Sequence, residues 1–238
     1  MDIIIAVVLA YIVKGICGFA NTLVFGSILS YSRNTINITP IDLLLGFPSN
    51  LIIVWKERSH ISAKVVVPLS ILVLIGVIPG ALFLKLGDTG LIKIVFGIIV
   101  ILVGIESLLR ERQKVKKESS KLLLVIVGFI SGILCGVFGV GAFLVAYISR
   151  TTENQNQFRG NICAVFLIEN LLRFYLYTVT GILSFEIFKD SLILYPFMIL
   201  GLTIGILLSK KLSEVLIKKI VIILLMISGA TLIVNNIF

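Results

Sequence analysis

Three ionisable side chains, Lys14, Glu169 and Arg173, lie inside long apolar runs of this chain. Charges at membrane depth are costly, so they face a cavity or one another. Glu169 and Arg173 are four residues apart, the spacing of an ion pair on one helix face. They are read either as a self-neutralised strut or as part of a coupling site. Lys14 has no such neighbour. It adjoins Gly15 in the stretch Lys14-Gly15-Ile16-Cys17-Gly18-Phe19-Ala20-Asn21-Thr22, where an unpaired ammonium could hold a small anion. The plainer reading of Lys14 is a side chain snorkelling to an interface.

The glycine-broken stretch recurs. At an offset of 121, Gly15 falls on Gly136, Gly18 on Gly139 and Val24 on Val145. Glycine in mid-helix costs about 1 kcal/mol against alanine, and a broken backbone survives in lipid only where protein or a cavity satisfies it. Half-helix N-termini carry free N–H groups and partial positive charge, which suit anions. The candidate substrate site is therefore Lys14, Gly15, Gly18, Asn21, Thr22 and Asn50 with Gly136, Gly139, Gly141 and Asn170; Glu169 and Arg173 form the candidate ion-pair or coupling element. Each uncharged polar residue alone is also readable as a helix–helix hydrogen bond.

The elements that must position these residues are apolar. The 238-residue chain is 58% hydrophobic with a mean hydropathy of +1.15, well above the roughly 45–50% of soluble domains. It reads as an all-α integral membrane protein, multi-pass, in the cell membrane. Apolar segments fall at about 3–31, 39–55, 65–85, 91–109, 122–149, 160–180, 190–209 and 215–237. Further matches (Asn50 with Asn170, Gly76 with Gly201, Gly80 with Gly205) extend the duplication over nearly the whole chain. The expected organisation is two homologous four-segment repeats, residues 1–110 and 122–238, inverted and joined by a basic cytoplasmic hinge at 111–121. The second segment is expected to be interrupted at Gly46-Phe47-Pro48-Ser49-Asn50, since proline removes a backbone donor. Trp55 before Lys56-Glu57-Arg58 reads as an interfacial anchor.

Segments 1 and 5 either cross strongly tilted or fold back as re-entrant hairpins. If all eight segments cross, basic residues divide nine against ten between the two sides. With hairpins the division becomes fifteen against four, counting Arg159 among the inner connections. The positive-inside rule prefers the hairpins, with both termini outside. The N-terminus has no basic run before its apolar stretch and reads as a membrane segment, not a signal peptide.

Several function classes lose support. The net charge of +9 comes almost entirely from short connections, so nucleic acid is not an expected partner. Cys17, Cys135 and Cys163 are widely spaced and His60 is the sole histidine, which leaves metal and dithiol chemistry without ligand sets. No Walker motif appears, so neither ATP nor another cofactor is expected. A membrane-embedded enzyme, a channel and a non-transporting scaffold remain alternatives to a carrier. The expected partners are a small anion, the lipid bilayer and a coupling ion, proton or sodium.

The chain resembles the sulfite exporter TauE/SafE family, the toluene sulfonate uptake permease group. Gly15-Ile-Cys-Gly18-Phe19 with Leu23-Val24 carry the likeness in the first half. In the second it is carried by the glycine-rich run from Gly128 through Gly132, Gly136, Gly139 and Gly141 to Leu144. The chain departs from the family pattern at Ala20-Asn21 and Ala142, where glycines are common, and lacks the usual following proline. The resemblance implies a multi-pass permease for sulfite, organosulfonates or related sulfur-containing anions.

Overall fold

The computed structural model describes residues 2–29, 35–86, 94, 97, 98, 101, 102, 105, 121–139 and 141–237. The fourth apolar segment, read over 91–109, and the hinge lie almost wholly outside them. The helices are α1 Asp2–Cys17, α2 Asn21–Leu29, α3 Thr35–Glu57, α4 Ala63–Leu86, α5 Lys121–Phe138, α6 Ala142–Thr151, α7 Gln155–Val179, α8 Phe185–Ser209 and α9 Glu214–Ile237. No strand occurs among the described residues.

Among the described residues four helices, α3, α4, α7 and α8, are long and apolar enough to cross a membrane. At about 1.5 Å per residue each exceeds the roughly 30 Å hydrocarbon layer. The 16 residues of α1 reach only about 24 Å, and α2 and α6, with 9 and 10 residues, are shorter still. On the outer face of α4, Ile71, Ile75, Ile78, Leu82 and Phe83 are exposed, an apolar surface suited to lipid. Trp55 is 70% exposed, with the Arg58 guanidinium 5.3 Å from its ring, as an interfacial anchor requires.

α3 corrects the expected interruption. It runs unbroken through Pro40 and Pro48. Pro48 cannot donate to the Leu44 carbonyl one turn back, and the Tyr195 hydroxyl of α8 donates to that oxygen instead, at 3.2 Å. A neighbouring helix thus supplies the bond the proline removes, which is how membrane helices keep proline.

The helices pair across the two halves of the chain. α1 packs along α8, and α5 along α4. Both crossings depend on glycine: a methyl added to Gly15 would lie 2.7 Å from the Gly205 Cα, and one on Gly136 would lie 2.9 Å from the Gly80 Cα. On α8, Gly201 faces the Val8 carbonyl and Gly205 that of Ile12; on α4, Gly76 faces the Phe129 carbonyl and Gly80 that of Ile133. Each contact in one pair has its counterpart in the other at the offsets read from the sequence. Without side chains the backbones approach closely, the usual basis of helix association in lipid.

α1 stops where Gly18 turns to φ +89° and α5 where Gly139 turns to φ +72°, the left-handed region that glycine enters freely. Gly18 N donates to Lys14 O at 2.6 Å, and Gly139 N to Cys135 O at 2.8 Å. Donors from α7 satisfy carbonyls at both interruptions. Gln155 Nε2 reaches Ile16 O at 3.2 Å and Cys163 Sγ reaches Gly18 O at 3.0 Å. At the other, Arg173 Nη1 bonds Cys135 O and the Tyr177 hydroxyl bonds Gly136 O, each at 2.7 Å.

Candidate functional site

The two interruptions meet at a buried polar cavity walled by α3 and α7. Phe19, Ala20, Asn21, Thr22 and Leu23 line it from one, Gly139 and Gly141 from the other, and Lys14 from α1. α3 contributes Asp42, Gly46 and Asn50, which recur every four residues on one helical face. α7 contributes Phe166, Glu169, Asn170 and Arg173 by the same rule. As traced by the centre of a water molecule the cavity is about 20 Å³, room for little more than one water.

Nine of the twelve sequence-derived site residues line this cavity: Lys14, Asn21, Thr22, Asn50, Gly139, Gly141, Glu169, Asn170 and Arg173. Gly15, Gly18 and Gly136 do not. Gly15 and Gly136 are spent on the helix crossings, and Gly18 lies against the stem of Arg159.

Lys14 is 1% exposed and thinly partnered. Among the described residues its ammonium makes one long hydrogen bond, 3.5 Å to Gly46 O, and stands 5.6 Å from the centre of the Tyr11 ring. An ammonium has three donors, so this bond uses only part of its capacity, and the residue lines the cavity. Arg173 is the opposite case. Its Nε lies 3.2 Å from Glu169 Oε1, its Nη2 bonds Asn170 Oδ1 at 2.8 Å, and its Nη1 bonds Cys135 O. The four-residue spacing of Glu169 and Arg173 does form an ion pair.

Asp42 is the residue the sequence reading missed. It lies near the start of the apolar segment read over 39–55 and was not singled out there, yet it is 2% exposed. Asn21 Nδ2 donates to its Oδ1 at 2.8 Å and the Thr22 hydroxyl bonds its Oδ2. Asn21 and Thr22, expected as donors to a substrate, are thus engaged with a carboxylate. The signal available was the run of Asp42, Gly46 and Asn50 along one face. Arg159 was also misplaced: it lies within α7, 3% exposed, and not in a connection.

The cavity wall therefore carries Lys14 and Arg173 against Asp42 and Glu169, two cations and two carboxylates. Asn50 adds an amide whose Oδ1 has no partner among the described residues. Among those residues no group of three His, Cys, Asp or Glu is placed to hold a metal ion, and the three cysteines are buried and unpaired. Such a cavity suits binding a small anion at Lys14, with charge balance set by the two carboxylates.

No curated protein and no solved structure matches the chain. The family described as Sulfite exporter TauE/SafE matches residues 3–232. With that match spanning nearly its whole length, the chain belongs to the TauE/SafE sulfite exporter family of membrane transporters.

Proposed function

We propose that the protein carries a small sulfur oxyanion, sulfite or an organosulfonate, across the membrane by alternating access at the cavity between the two interruptions. The observation that carries this reading is Lys14, a buried cation on the cavity wall whose donors are largely unspent. The present tightness of the cavity favours a carrier over a channel, since an anion of several heavy atoms enters only if the walls move apart. The matched Gly15–Gly205 and Gly136–Gly80 crossings support two inverted repeats. They also imply that the moving bodies mix the halves, because α1 is clasped to α8 and α5 to α4.

Charge balance and hydrogen counting favour the proton over sodium as the coupling ion. With both carboxylates ionised the cavity is neutral, and an entering anion leaves it negative. Thr22 has a single hydroxyl hydrogen, yet its Oγ reaches both Asp42 Oδ2 and Gly139 O, the latter at 3.1 Å. A proton on Asp42 satisfies both contacts: the carboxyl donates to Thr22, and Thr22 to Gly139. Lys14 and Tyr11 of α1, Asn21 and Thr22 of α2, and Glu169 and Arg173 of α7 surround Asp42, with Tyr195 of α8 bonded nearby at Leu44. In proteoliposomes, sulfite, thiosulfate, taurine and sulfoacetate are the compounds to screen. We expect at least one to counterflow, accelerated by acid on the side it leaves and indifferent to a sodium gradient. Absence of counterflow for all four overturns the substrate class; flux insensitive to a pH gradient overturns the coupling alone.

Three crossings per half, with the hinge cytoplasmic and both termini external, best fit the short α1 and the division of basic residues, which stays at fourteen to four once Arg159, buried within α7, is set aside. On a cysteine-free background, a thiol reagent applied to intact cells should modify a cysteine at position 2 and spare one at position 116. The reverse pattern inverts the topology.

A further inference from the structure

Arg159 holds two guanidinium nitrogens that no group among the described residues uses. The residue is 3% exposed. Its Nη1 donates to Ser209 Oγ at 2.9 Å, where α8 ends beside the first turns of α7. Its Nε and Nη2 are fully buried and have no hydrogen-bond partner among the described residues. Those two nitrogens form one edge of the planar guanidinium, the fork that grips two oxygens of a single carboxylate, sulfonate or phosphate. A buried donor left unpaired keeps its full desolvation cost, and more so on a charged group, so an empty fork is a costly arrangement unless something fills it.

Among the side chains described, no carboxylate pairs with Arg159. Glu57, which lies against Gly160 on the next residue of α7, is turned to His60 Nδ1 at 3.6 Å. The other charges felt nearby are cationic: Lys56 lies within electrostatic range of both Arg159 and Lys210. The stem of Arg159 packs on Gly18. The next residue, Phe19, lines the central cavity and meets Phe158 edge-on at 5.8 Å. Arg159 thus stands across the Gly18–Ala20 interruption from Lys14.

Resting on the oxyanion-carrier reading above, we propose that the Nε/Nη2 edge of Arg159 is a second oxyanion site, a staging point between the basic end of α3, α7 and α8 and the central cavity. The anion docks there through two of its oxygens, then passes the Phe19 wall to Lys14. The same fork accepts sulfite, sulfate or a sulfonate, because each offers two oxygens of one charged group. Discrimination among them belongs to the central cavity.

Selenite, a heavier analogue of sulfite, makes the site visible. In crystals of the full-length protein soaked with selenite, an anomalous selenium peak is expected within hydrogen-bonding reach of Arg159 Nε and Nη2. In detergent, Arg159→Lys keeps the charge and removes the fork; it should weaken the sulfite affinity measured by titration at least 10-fold while the melting temperature stays near wild type. Selenium only at Lys14, with sulfite affinity unchanged in Arg159→Lys, overturns the staging site and leaves the carrier reading intact. Selenium at neither position overturns both. If Arg159→Lys unfolds, the selenium map of the wild-type protein decides alone, and ordered water in the fork counts against the proposal.

Discussion

The two interruptions share a backbone and differ in what fills them. At each, a glycine in the left-handed region donates back to a carbonyl four residues earlier, and α7 caps the exposed chain. Four residues before Gly18 stands Lys14; four before Gly139 stands Cys135. The first interruption therefore brings its own cation, held by one long hydrogen bond to Gly46 O among the described residues, and takes neutral caps from Gln155 and Cys163. The second brings none and is capped by Arg173, a cation consumed by three partners. On the carrier reading proposed above, the first interruption is the binding end and the second the bracing end.

Replacing the two cations separates these roles. Arg173→Met should lower stability first, by about 3–5 kcal/mol, because Glu169 is left as an unpaired buried charge and Cys135 O loses its charged partner. Thermal unfolding in detergent measures this. Lys14→Gln should instead raise the substrate KM about 10-fold or more with melting temperature near wild type, and Lys14→Arg should be partly active, since the two cations differ in shape and hydration. An unchanged KM in Lys14→Gln would remove the functional half of the contrast, making Lys14 a packing residue.

The backbone equivalence is tested by Gly18→Ala and Gly139→Ala. Both impose a left-handed conformation on a side chain, about 1–2 kcal/mol each. The added methyl would meet Arg159 Cγ at 2.8 Å in the first and Arg173 Nη1 at 2.5 Å in the second. Both should melt lower; only Gly139→Ala should also mimic the Arg173 defect. Equal losses with no such resemblance would mean that the second interruption is not braced by Arg173.

The smallest effect concerns a difference between them. Ala20 holds φ +72°, whereas its counterpart Gly141 holds φ −106°. Ala20→Gly should therefore raise stability by up to about 1 kcal/mol, readable as a small rise in melting temperature. A fall would show that the Ala20 methyl contributes more to the cavity wall than its backbone costs.

These pairs mark what sequence could disclose. All-helical membrane character and family were legible because apolar run length and glycine spacing are one-dimensional signals. Lys14 was legible because a lysine amid apolar residues has no soluble explanation. Asp42 was not, because its meaning lies in Asn21 and Thr22 approaching from another helix. Pro48 misled for a similar reason: the donor that rescues α3 is Tyr195, 147 positions away. Arg159 sits near a basic connection, and only the fold shows that its guanidinium turns inward. At position 20 glycine counting pointed the wrong way, since alanine occupies the left-handed site and glycine the ordinary one.

The clasp between Gly15 and Gly205 also has a consequence for how the chain is made. The partner of α1 is translated about 190 residues after it, which at roughly 5–20 residues per second is some 10–40 s. Throughout that interval the glycine face of α1, the buried Lys14 and the Gly18 turn must wait in the translocation machinery or in lipid without the helices that cover them. α5, by contrast, emerges after its partner α4 and can dock at once. Biosynthesis should therefore proceed from an inner pair, α4 with α5, to the closing of the outer pair by α8, so that truncation between α7 and α8 leaves Lys14 and the Gly18 turn uncovered while the Gly139 turn keeps its caps from Arg173 and Tyr177.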